Sequence, residues 1–176
     1  MAHIAMRASS GFIAGVVATL TFQQAAWELL HILNIPGMAL PAAWPTDPLI
    51  PFDVPRIANL CFWGGVYGVP LGLVLPLPRF PSWFAGLLFG VLVVAPGLLI
   101  PSAFHHYQIG GGWFSLRTYG SLTTIMLTWG LPVREGIGAP LTWLRAFVID
   151  GAWGAGAGMI LSMVLPFASR GAPAHR

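Results

Sequence analysis

The chain has no lysine, a single cysteine and only five acidic residues. Charged residues make up 7% of it, against roughly 25% in a soluble globular domain, so a free-standing water-soluble fold is excluded. The eight arginines are scattered, not gathered on one face, which leaves nucleic-acid binding without a footprint. Cys61 lies inside an apolar segment; alone it can build neither an internal disulfide nor a thiolate metal site, and it reads as a small buried hydrophobe. Also missing are GxSxG, a Walker loop, HExxH, CxxCH and a GxGxxG that follows a strand and opens a helix. Hydrolytic, nucleotide-binding, zinc-protease and covalent-haem chemistry therefore have no motif to stand on. Gly110-Gly111-Gly112 reads as a hinge, because no basic helix start follows it.

Long apolar runs are what the chain has instead. Hydrophobic residues reach 56% and the mean hydropathy is +0.77. About 20 apolar residues at 1.5 Å each cross a bilayer as a helix, and four stretches qualify, near residues 9–33, 57–75, 83–100 and 141–165. The expectation is an all-α polytopic transmembrane bundle of four helices forming one domain over residues 1–176. The first run is too long for the apolar core of a signal peptide, so it reads as an uncleaved span. Residues 36–55 hold six prolines and read as ordered coil or turn rather than helix. Pro70 and Pro96 fall inside spans and should kink them. Residues 113–131 are apolar but carry Arg117 and several hydroxyls, and read as a periplasmic interfacial or re-entrant helix before a fifth span. With four spans, Arg7, Arg79, Arg170 and Arg176 share one side with no acid, while Arg56, Arg117 and Arg134 face Asp47, Asp53 and Glu135 on the other. The positive-inside rule then places both termini in the cytoplasm.

Small residues set how these helices meet. Glycines four apart recur in every span: Gly11/Gly15, Gly64/Gly68/Gly72, Gly86/Gly90 and Gly154/Gly158. Such stripes let helix backbones approach and gain van der Waals contact where lipid removes the hydrophobic drive. Residues 63–76 align without gaps on residues 153–166 with seven of fourteen positions identical, and GxxxGV recurs at Gly11 and Gly86. Two same-direction duplicated hairpins would produce both matches. On an unbroken helical wheel the Gly11/Gly15 arc lies about 180–220° from Gln24, Glu28 and His31. Lipid tolerates glycine far better than a carboxyl, so Glu28 should turn into its own bundle. The Gly11/Gly15 face is then left free for a second copy or another subunit.

Polar residues inside the spans are few. Gln24, Glu28, His31, Asn59 and Asp150 gather toward the outer half and form the candidate ligand or proton pocket; none is assigned a catalytic role. Arg145 points away from Asp150 and can snorkel to the interface. His31 and His106 correspond under the repeat and are the weak candidates for a metal or haem iron, but neither sits in a ligation motif, so no metal and no cofactor is expected. Trp27, Trp44, Trp83, Trp113, Trp129 and Trp143 read as an interfacial aromatic belt.

The run GFIAGVVATLTFQQ, the loop PFDVPR and the run FWGGVYG together resemble small uncharacterised proteobacterial inner-membrane proteins. The resemblance implies a bacterial inner-membrane location and brings no activity with it. The expected function is a non-catalytic accessory or scaffold subunit that packs through Gly-rich helix faces, in the bilayer, against itself or a larger membrane complex. The alternative is a small transporter or binding protein with an outward-facing acidic pocket at Glu28 and Asp150.

Overall fold

The computed structural model describes residues 2–36, 38, 40–46, 48–49, 54–75, 80–93 and 140–165. Residues 94–139, with Pro96, His105, His106 and the apolar run 113–131, lie outside them, as do residues 166–176. The described chain is mostly helical. Helix α1 (Ala2–Ala18) runs through a π turn (Thr19–Gln23) into α2 (Gln24–Leu33). Asn34 ends it with φ 44° and ψ 40°, a left-handed cap that asparagine tolerates, and returns its N–H to the Leu30 carbonyl at 3.2 Å. A two-residue antiparallel ladder, β1 (Pro48–Leu49) on β2 (Val54–Pro55), follows inside the proline-rich connection expected to be coil. Helix α3 (Arg56–Val74) contains Pro70. Helix α4 is described over Ser82–Val93, with its first turn closed by the Pro81 carbonyl accepting from Phe84 and Ala85. Helix α5 (Pro140–Val164) opens on a proline, whose missing N–H is not needed at a helix start.

Among the described residues, three helices are long and apolar enough to cross a membrane: His3–Leu33, Arg56–Val74 and Trp143–Val164, with mean hydropathies of 1.4, 1.5 and 1.5. The described part of α4 is apolar and about 18 Å long, shorter than the roughly 30 Å hydrocarbon core.

Glycine decides which helices touch. A methyl group on Gly11 would sit 3.0 Å from the Gly68 carbonyl carbon and 3.2 Å from Gly72 Cα. One on Gly15 would sit 2.8 Å from the Gly64 carbonyl carbon. Thus α1 lies backbone-to-backbone on α3, and the face expected to be open to another copy is filled by this chain's own second apolar helix. The reason is a match of periods: both helices carry a small residue every four positions, so the two stripes close on each other over three turns. The same contact recurs between α4 and α5. A Cβ on Gly86 would meet the Gly154 carbonyl carbon at 2.9 Å, and one on Gly90 the Asp150 carbonyl carbon at 2.9 Å.

The two glycine-packed pairs are not in the register of the sequence repeat. Gly11 opposes Gly68 and Gly72, whereas Gly86 opposes Gly154 and Gly158. The first partner shifts by 75 positions and the second by 86, four short of the 90 that relates residues 63–76 to 153–166. Four residues are about one helical turn, so the pairs share a packing mode but are slid past each other by a turn. Asp150 occupies in α5 the position that Gly64 occupies in α3.

Helix α1 lies between α3 and α5, and α3 barely touches α5. The core gathers where α1 and α2 meet α5: Ala18, Trp27, Ile149, Trp153, Ala157 and Leu161, with Leu60 from α3. Arg145, expected at the interface, is buried here at 7% exposure and has interactions of its own within the fold.

Candidate functional site

The π turn organises the polar residues. One extra residue is absorbed where a turn hydrogen-bonds i to i+5, so everything downstream rotates by about 100°. That brings Gln24, Glu28 and His31 from the far side of the helix to about 80–120° from the Gly11/Gly15 arc, where both faces can be covered by protein. Two indoles supply donors at its edges. Trp153 Nε1 donates to the Gly15 carbonyl at 3.0 Å, which also accepts from Thr19 Oγ1 at 2.9 Å. Trp44 Nε1 donates to the Leu20 carbonyl at 3.2 Å.

Downstream of the turn, one stripe of α2 grips a strap, residues 40–44. His31 Nδ1 donates to the Leu40 carbonyl at 2.7 Å, and Trp27 Nε1 to the Pro41 carbonyl at 2.8 Å. Glu28 Oε2 accepts the Ala43 N–H at 2.9 Å, and Gln24 Oε1 the Trp44 N–H at 2.7 Å. Spacing i, i+3, i+4, i+7 puts these four side chains on one face, and the strap runs back along it from His31 to Leu20. Every contact is to strap backbone. Trp44 has φ 52°, a conformation unfavourable for a bulky side chain, and is held in it by its bonds to Gln24 and Leu20. The Pro45 carbonyl accepts the Ile57 N–H at 2.9 Å, tying the strap's end to the start of α3.

A second polar contact lies deeper. Gln23 Nε2 donates to Asp150 Oδ1 at 3.2 Å, joining the π turn to α5. Both residues are 1% exposed. The Gln23 Oε1 and Gln24 Nε2 atoms are buried and have no hydrogen-bond partner among the described residues. Tyr67 of α3 is within electrostatic reach of Asp150. Asn59 is buried near the start of α3 and has its own interactions.

The candidate pocket residues thus fall into two groups. Gln24, Glu28 and His31 meet at the strap; Asp150 meets Gln23; among the described residues Glu28 and Asp150 make no hydrogen bond to a common partner. Gln23 was not anticipated, although it continues the Gly11, Gly15, Thr19 series at four-residue steps, which was its available signal. Trp27 departs from the aromatic-belt expectation: it is fully buried and bonds the strap. Trp113, Trp129 and His106 lie outside the described residues. Among the described residues no three His, Cys, Asp or Glu side chains are placed to hold a metal ion. An apolar crevice of about 200 Å³ between α3 and α4, lined by carbon from Leu71, Leu75, Phe80, Leu88 and Leu92, offers nothing to a polar substrate.

Comparison of the sequence with protein-family models and curated proteins, and of the fold with solved structures, finds no match.

Proposed function

We propose that this chain is a non-catalytic integral protein of the bacterial inner membrane, an accessory or scaffold subunit that associates with itself or with a larger membrane complex. In this reading the helices form a four-span bundle whose third crossing begins in α4. Both termini are cytoplasmic and the strap is periplasmic, on the arginine asymmetry. The observation that carries the reading is where the polar side chains are engaged. Gln24, Glu28 and His31 hold the strap backbone, and Asp150 holds Gln23. Groups bonded in this way rigidify the chain, and among the described residues the carboxyls and the histidine leave no converging set for a substrate. Because the glycine faces close on one another inside the chain, association uses the outward apolar side chains.

A transporter with an acidic pocket requires Glu28 and Asp150 to open into one cavity, and their separate partners speak against it. Extraction from native membranes in mild detergent followed by native mass spectrometry tests the proposal. Co-purification of a second copy or another membrane subunit is expected. A lone monomer that passes solute in liposomes, with flux abolished by Glu28→Gln, would contradict it.

A further inference from the structure

We infer that Gln23 and Asp150 hold a proton between them in the apolar interior, as a carboxylic acid–amide pair: Asp150 donates an O–H to Gln23 Oε1 while Gln23 Nε2 donates to Asp150 Oδ1. The inference goes beyond the scaffold reading and does not rest on it. Half of the pair is in place, the Nε2–Oδ1 bond at 3.2 Å. The other half is implied by an unanswered acceptor: Gln23 Oε1 is buried and lacks a hydrogen-bond donor among the described residues. An ionised carboxylate has only acceptors and can never answer it; a carboxylic acid has one O–H to give. Amide and acid each present a donor beside an acceptor, so turning the two terminal groups closes a second, parallel bond without moving a helix.

The surroundings favour the uncharged form. Asp150 is 1% exposed and its hydrogen-bond partner among the described residues is Gln23. Tyr67, facing it from α3, is a phenol. Gly90 of α4 brings backbone alone to the Asp150 carbonyl. Arg145 on the same helix is about 140° around the axis and has its own interactions. Glu28 and His31 are bonded to the strap. An ionised carboxylate inside a membrane span is costly, and α5 avoids that cost by carrying the proton. The bound proton also joins the two glycine-packed pairs, since Gln23 follows α1 and Asp150 belongs to α5.

The chain has three aspartates, Asp47, Asp53 and Asp150, so Asp47→Asn with Asp53→Asn leaves Asp150 as the sole one. Cell-free synthesis of that variant with carboxyl-13C aspartate, reconstitution in bilayers at neutral pH and a labelled-minus-unlabelled infrared spectrum isolate its carboxyl. The expected result is the C=O stretch of a hydrogen-bonded carboxylic acid, displaced when Gln23→Leu is added. A spectrum holding carboxylate bands alone overturns the inference. Asp150→Asn, whose amide reproduces the donor and acceptor of the acid, is expected to keep the wild-type folded yield while Asp150→Leu loses it; equal loss in both variants also overturns it.

Discussion

Two kinds of seam hold the described helices, and they differ in what they tolerate. Between α1 and α3, and between α4 and α5, glycine backbones meet with nothing between them. Between α1–α2 and α5 an apolar core is joined by hydrogen bonds donated by Trp153 and Gln23, and between α2 and the strap Trp27 and His31 donate while Gln24 and Glu28 accept. The first kind has no slack, because neither backbone can give way to a side chain. The second loses one bond at a time, and polar contacts between membrane helices average about 0.6 kcal/mol each. Glycine therefore fixes which helices pair, and the polar groups fix how the pairs and the strap sit on one another.

Breaking the glycine seams should have the largest effect. Gly86→Leu with Gly90→Leu inserts two side chains against the Gly154 and Asp150 backbone. Overpacking costs about 1–3 kcal/mol per site, and a backbone neighbour pushes it to the upper end, so the double variant is expected to lose its folded peak in size-exclusion chromatography. A normal thermal melt would mean that the α4–α5 contact is loose. Next comes the strap. Glu28→Ala removes an acceptor from the Ala43 N–H; hydrogen bonds to charged groups contribute about 1.5–3 kcal/mol. Exchange of the Ala43 and Trp44 amides should accelerate by roughly tenfold or more, with the global melt little changed. Unaltered exchange would detach Glu28 from the strap.

Trp153→Phe keeps an aromatic ring in the core but removes the donor to Gly15 and part of the buried indole volume. A loss of at least about 1 kcal/mol is expected, visible as a fall in melting temperature. The smallest effect sharpens the comparison from the other side. Among the described residues, a Cβ on Gly151 would meet only Val91 Cγ2, at 3.6 Å, an ordinary contact. Gly151→Ala should be neutral or stabilising by up to about 1 kcal/mol, and a collapse like that of Gly86→Leu/Gly90→Leu would show that these helices reject bulk everywhere, not only along the stripes.

The contrast also explains what the sequence could reveal. Apolar length located the helices, and a glycine every four residues marked the packing faces, because both are properties of one segment read alone. The partner of each face is a property of two segments. Gly11 and Gly15 look the same whether Gly68 of this chain or of another opposes them, so one segment read alone leaves the face open. Nothing in TLTFQ announces a π turn either, yet that turn removes the conflict between the two faces that made an open glycine face necessary. Glu28 was legible as an intramembrane carboxyl needing a partner, but the partner is the backbone of a proline-rich strap, which carries no side-chain pattern. Gln23 was missed beside Gln24 for the same reason of phase.

The Gly11/Gly15 face closes inside one chain. Gly11→Leu with Gly15→Leu, purified in mild detergent and measured by native mass and by thermal melting together, tests it most directly. The structure predicts that the monomer itself fails to fold, since both side chains would meet the α3 backbone at Gly64 and Gly68. A monomer that melts like wild type but no longer associates would contradict it, and would return the face to an outside partner.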